Sequence, residues 1–144
     1  MKKILILSLG IILFSCSRND NINNCNFLLN VSVNDLIIDL NLPVYSQLQF
    51  TGNSREIDGP GNGRIIVART GSDNLRAWDG ADPNHPLSSC SLLTPDGLTA
   101  TCGCEDGNQY ELLSGQSLGE NQQPCTLLPY RVEFIGNNRY RISN

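Results

Sequence analysis

Turn-forming residues recur through this chain at intervals too short for a long helix to fit between them. Asn53-Ser54, Asp58-Gly-Pro-Gly-Asn-Gly63, Gly71-Ser-Asp-Asn74, Pro95-Asp-Gly97, Asp106-Gly-Asn108 and Gly136-Asn-Asn138 punctuate it. Each type acts for its own reason: Gly reaches positive φ without penalty, Pro pre-sets φ, and Asn and Asp hydrogen-bond their own backbone. The segments between them are short, rich in Val, Ile, Leu, Tyr and Phe, and none keeps a helical period. An all-β chain follows, a sandwich or small barrel of short strands, with strands expected over Val31–Val33, Ile38–Leu42, Arg64–Arg69, Arg131–Ile135 and Arg139–Ile142. No internal repeat is present.

The first residues carry a different instruction. Lys2 and Lys3 precede an apolar run from Ile4 to Phe14, too short for the roughly 20 residues that span a bilayer, which is the pattern of a secretion signal. Leu13-Phe-Ser-Cys16 resembles a bacterial lipobox, which implies that residues 1–15 are a lipoprotein signal peptide and that Cys16 is the acylated first residue of the mature chain. Residues 16–26 are then a lipidated Cys and polar tether, of which the flexible eight-residue stretch from Ser17 to Asn24 spans about 15 Å on average. Residues 27–144 form one domain.

Without residues 1–15 the chain keeps eight arginines against 14 acids. Phosphate-backbone affinity needs clustered cations, so no nucleic-acid partner is expected. Asp79, Asp82, Glu105 and Asp106 lie at or near two loops described next and read as solvated loop carboxylates.

Those loops are Asp82-Pro-Asn-His-Pro-Leu87 and Cys102-Gly-Cys-Glu-Asp-Gly107, with the pairs Asp82-x-Asn84 and Cys102-x2-Glu105 separated by residues 85 to 101, 17 in number. The arrangement resembles the Rieske iron-sulfur domain, in which C-x-H and C-x2-H pairs about 15 to 17 residues apart hold a [2Fe–2S] cluster with two Cys on one iron and two His on the other. Ile65-Ile-Val-Ala68 and Leu75-Arg-Ala-Trp-Asp79 resemble the strands that lead into the family's first loop. Gln109–Leu112 with Ser114-Gly115 resembles the strand and turn after its second loop, and Pro124–Val132 its closing segment. The resemblance implies a Rieske-type β-sandwich or small barrel with two ligand-type loops over residues 27–144. It also puts Asp82, Asn84, Cys102 and Glu105 at the four ligand positions, where only Cys102 keeps its type, so a degenerate member without a cluster is expected.

Five cysteines lie beyond Cys16, and export to an oxidising compartment favours disulfides. In Rieske proteins of respiratory complexes a second Cys of the second loop is bridged to the first loop; Cys104 matches that position, with Cys90 as its partner. Cys25 and Cys125 form a possible second bridge, leaving Cys102 unpaired, although five thiols allow many pairings. His85, the chain's one His, reads as a hydrogen-bonding loop residue. An alternative uses Cys90, Cys102, Cys104 and His85 as a tetrahedral zinc site.

The function expected is that of a lipid-anchored, extracytoplasmic module of the bacterial cell envelope that binds a protein partner or serves structurally, with no cofactor. The alternative is an electron-transfer protein of Rieske ferredoxin type with an atypically ligated [2Fe–2S] cluster or another metal such as zinc. Enzyme activity is not expected: Cys102 would need His85 as its base, and nothing in the sequence supplies an oxyanion hole.

Overall fold

The computed structural model describes residues 25–120 and 122–144; the signal segment, Cys16 and most of the tether lie outside the described residues. Among the described residues the fold is all-β, with one 3-10 helix over Pro43–Gln49 and ten strands: β1 Leu36–Asp39, β2 Ser54–Ile57, β3 Ile65–Gly71, β4 Asn74–Asp79, β5 Leu93–Asp96, β6 Thr99–Cys102, β7 Gln109–Glu111, β8 Ser117–Leu118, β9 Pro129–Gly136 and β10 Arg139–Ser143. They make a curled six-stranded sheet, β1-β10-β9-β4-β3-β2, and a four-stranded sheet, β5-β6-β7-β8. Every paired neighbour is antiparallel.

Strand β3 explains how two cores coexist. Successive strand residues point to opposite faces, and here both faces are covered. Ile65 and Val67 join Ile38, Leu48, Tyr130, Tyr140 and Ile142 inside the curl of the large sheet. Ile66 and Ala68 join Trp78, Leu93, Tyr110, Leu112 and Leu127 between the two sheets. An unbroken apolar run is what a strand buried on both sides requires, and each fully buried Ile or Val contributes about 1.5–3 kcal/mol. In the second core, Trp78 Nε1 donates to the Leu112 carbonyl at 2.9 Å. Gly115, at φ 77°, lets the chain pass over the indole, since a Cβ there would lie 2.7 Å from the Trp78 ring.

Two expected strands are corrected. Val31–Val33 has no ladder partner; the terminal Asn144 holds it instead, accepting from the Val33 N–H at 2.8 Å and donating to the Val31 carbonyl at 2.7 Å. The strand expected over Ile38–Leu42 ends at Asp39. Pro43 opens the 3-10 helix, where fixed φ and a missing N–H are tolerated, and Asp39 Oδ1 turns the chain by accepting from the Asn41 N–H at 3.0 Å. The strands expected over Arg64–Arg69, Arg131–Ile135 and Arg139–Ile142 form with ends shifted by at most two residues.

Candidate functional site

Strand β4 runs directly into the first loop, and β6 into the second. The base of the first loop is pinned where the Asp82 N–H donates to the Ser91 carbonyl at 2.8 Å and Ala81 bridges Leu92. Within it, the Ser91 hydroxyl donates to the Ser88 carbonyl and accepts from the Ser88 N–H. The second loop closes on itself, with the Cys102 N–H on the Asn108 carbonyl and the Gly107 N–H on the Cys104 carbonyl. The two loops touch through backbone: a Cβ on Gly103 would lie 2.9 Å from the Cys90 carbonyl oxygen. A disulfide between Cys90 and Cys104 fastens them, and a second joins Cys25 to Cys125. Among the described residues Cys102 is the free cysteine, and it is buried.

Asp82 lies at the centre with 0% exposure. A carboxylate taken out of water must be hydrogen-bonded or paired, and its two oxygens are surrounded. Oδ1 accepts from the Asn84 N–H at 2.8 Å and from the Tyr110 hydroxyl. Oδ2 accepts from Asn108 Nδ2 at 3.0 Å and faces His85 Nδ1 at 2.9 Å. Burial alone pushes the Asp82 carboxyl up, but donation from Tyr110, the Asn84 N–H, Asn108 and Cys102 outweighs it and holds the group below its ordinary value. The Tyr110 phenol is raised, by burial first and by the carboxylate it serves second.

Asn84 is equally engaged. Its Nδ2 donates to the Tyr110 hydroxyl at 2.7 Å and the Cys125 carbonyl at 2.9 Å, and its Oδ1 accepts from the Cys125 N–H at 3.1 Å. Asn84 thereby locks the first loop to the segment held by the Cys25–Cys125 bridge. Glu105 is exposed and takes no part.

His85 forms the edge of this network. Nε2 faces Asp106 Oδ2 at 3.0 Å, Nδ1 faces Asp82, and the Cys102 sulfur lies 3.6 Å from Nδ1. Burial pushes the Cys102 thiol up to about 11; the Asp82 and Asp106 carboxylates act in the same direction, against a backbone hydrogen bond from Cys104. Ligand atoms of His85, Cys102 and Cys104 all lie within 4.8 Å of one another. Cys90, Cys102, Cys104 and His85 are therefore gathered in one place, with two of the four sulfur and nitrogen donors tied up in the Cys90–Cys104 bridge.

The expectation of solvated acids is corrected in half its members. Glu105 and Asp106 are exposed, whereas Asp79 and Asp82 are buried to 0% exposure. Asp79 Oδ2 accepts from the Tyr130 hydroxyl at 2.7 Å and the Asn62 N–H at 2.8 Å, and Oδ1 from the Ala81 N–H at 3.0 Å. Tyr110, Asn108 and the Cys125 backbone were not expected in the site. The signal for them is that a buried carboxylate needs donors, but a sequence does not say that the carboxylate is buried. An apolar groove of about 330 Å³ beside the first loop, lined by Leu28, Leu29, Pro83, Pro124, Leu128 and Pro129, was also not foreseen.

No family model and no curated protein matches the chain. Among solved structures it is similar to a chain of the complex of reduced oxygenase and oxidized ferredoxin in carbazole 1,9a-dioxygenase, at 23% identity over 65% of this chain and 82% of that one, with a TM-score of 0.45. It is also similar to the ferredoxin of carbazole 1,9a-dioxygenase from Nocardioides aromaticivorans IC177, at 14% identity over 77% of this chain and 95% of that one, with a TM-score of 0.44. These are likenesses, and they assign this chain neither a cluster nor an activity.

Proposed function

We propose that the chain is a lipid-anchored, extracytoplasmic module of the bacterial cell envelope whose Rieske-type loop pair is closed by its own hydrogen bonds instead of by a [2Fe–2S] cluster, and that it acts by binding a protein partner or as a structural module, without catalysis. The observation that carries this reading is the commitment of the two first-loop side chains. Such a cluster needs thiolates on one iron and imidazoles on the other. Asp82 spends both oxygens on Tyr110, Asn84, Asn108 and His85. Asn84 spends its amide on Tyr110 and Cys125. Glu105 is exposed, and of the four positions only Cys102 offers a soft donor. The donor set does not fit the cluster.

Iron and acid-labile sulfide analysis of the full chain, produced with cluster-assembly machinery and extracted without oxygen, tests the reading. Neither element and no visible colour are expected; about two of each per chain, the stoichiometry of a [2Fe–2S] centre, would overturn it. The anchor is tested separately. Cys16→Ala should release the protein from membranes or block its processing, because multiple acyl chains anchor stably where bare protein does not. Unchanged processing and retention would count against lipidation.

One observation favours the rival reading of a metal-bearing electron carrier, namely the 3.6 Å approach of His85 Nδ1 to the Cys102 sulfur. That reading requires a coloured, redox-active chain, with an electron paramagnetic resonance signal on reduction.

A further inference from the structure

The same 3.6 Å approach has a geometric meaning for a different ion. Zinc binds thiolate sulfur at about 2.3 Å and imidazole nitrogen at about 2.0–2.1 Å in a tetrahedron, which places a sulfur and a nitrogen ligand about 3.6 Å apart. His85 Nδ1 and Cys102 Sγ already stand at that separation, and the Cys104 sulfur is within 4.8 Å of both. The fourth candidate, Cys90, is bonded to Cys104. Two of the four donors are therefore held in one covalent bond.

The surroundings suit a metal-bound imidazole. A ligating His is normally oriented by a carboxylate on its other nitrogen, which fixes the tautomer and raises its basicity. Asp106 Oδ2 faces His85 Nε2 at 3.0 Å, leaving Nδ1, the nitrogen nearer Cys102, for the ion. Asp82 would lose its contact with Nδ1 but keep Asn108, Tyr110 and the Asn84 N–H, so the buried carboxylate stays satisfied. Cys90 is exposed while Cys102 is buried, so the bridge is open to a reductant through Cys90.

We infer that the Cys90–Cys104 disulfide is a redox gate over a site for a tetrahedral, thiolate-preferring cation of the zinc class, held by His85, Cys102, Cys104 and Cys90 once the bridge is reduced. The reductant is a protein dithiol. Its two thiols become a disulfide, and Cys90 and Cys104 each gain one hydrogen. A divalent ion then displaces one proton from each of the three thiols and takes the neutral His85 nitrogen as its fourth ligand. This inference rests on the clusterless reading, because a [2Fe–2S] centre would claim Cys102.

Cobalt(II) is the probe, since tetrahedral thiolate coordination gives it visible d–d bands and a thiolate charge-transfer band. Cys90→Ser frees Cys104 without any reductant, keeps three of the four ligands with solvent as the fourth, and leaves Cys25–Cys125 intact. The oxidised, unsubstituted full chain should show no charge-transfer band. Cys90→Ser should bind one cobalt per chain, displaced by zinc. In that background Cys102→Ser should remove most of the charge-transfer intensity, His85→Ala should weaken binding at least tenfold, and Asp106→Asn should weaken it about tenfold, as outer-shell partners do. Equal binding by the oxidised chain, no binding by Cys90→Ser, or indifference to His85→Ala would overturn the site. Circular dichroism guards against misfolding: a Cys90→Ser chain that is unfolded and does not regain structure with cobalt also counts against it. Iron and sulfide in the isolated chain would sink the clusterless reading; an iron-free chain that also ignores cobalt sinks only this inference.

Discussion

Asp79 and Asp82 are close neighbours in sequence, both buried, and both accept a hydrogen bond from a tyrosine hydroxyl, yet they build different places. Around Asp79 the donors are neutral and belong to the sheet and its flanking loop: Tyr130, Asn62 and the Ala81 N–H. Around Asp82 the same solution is repeated with Tyr110, Asn108 and the Asn84 N–H, but one more contact goes to His85, and through it to Asp106 and Cys102. Both phenols are pushed above their ordinary value, by burial first and by the carboxylate second. The chemistry of burying a carboxylate is therefore common to both; the link to an imidazole and a thiol belongs to one. That link, and not burial itself, separates a candidate site from a structural joint.

Both disulfides border the Asp82 network, one clamping the two loops and the other holding the Cys125 backbone that Asn84 grips, so opening that frame should have the largest effect. Replacing Cys25 and Cys125 by Ser removes a bridge with a sequence separation of 100 and should lower stability by about 4–5 kcal/mol on the chain-entropy model, against about 3 kcal/mol for Cys90 and Cys104, which close a loop near 15 residues. Urea midpoints measured on both pairs check the order. Reversed values would mean that the loops depend on the Cys90–Cys104 clamp for more than chain entropy.

A smaller effect compares the tyrosines directly. Tyr110→Phe and Tyr130→Phe each remove one hydrogen bond to a charged acceptor, worth about 1.5–3 kcal/mol, and Tyr110→Phe also takes the acceptor of Asn84 Nδ2. A loss at Tyr110 at least as large as that at Tyr130 is expected. A loss at Tyr110 far below that at Tyr130 would show that His85, Asn108 and Asn84 compensate, and would sharpen the contrast between the two places.

The smallest expected effect is an acid limb in stability. The Asp82 carboxyl lies below its unfolded value, which is about 3.9. Its contribution is therefore fully present above that value and is lost as pH falls through the folded one. Unfolding midpoints should hold steady down to about pH 5 and then decline. Asp82→Asn should lower the plateau and flatten part of the decline; an unchanged acid slope in that variant would break the assignment.

Sequence legibility divided along physical lines. Strand β3 was readable because a strand covered on both faces must be apolar throughout; β4, whose Asn74 and Arg76 are exposed, and the first loop were legible through the resemblance to the Rieske pattern. Val31–Val33 misled because β-branched residues favour strands wherever they find a partner, and here the partner is the side chain of Asn144 at the far end of the chain. Ligand-position residues were found through the resemblance to the Rieske pattern, but Tyr110 had read only as strand and Asn108 only as turn. Their role depends on where a buried carboxylate points, which is tertiary information.

The Cys25–Cys125 bridge also sets a path for force. A pull applied through the chain preceding Cys25 does not load β1 first; it crosses the sulfur–sulfur bond and arrives at Cys125. There the backbone N–H and carbonyl are both gripped by the Asn84 amide, so the first loop shares the tension that passes on along the chain into β9. A pull from that end would enter the domain beside its loop pair.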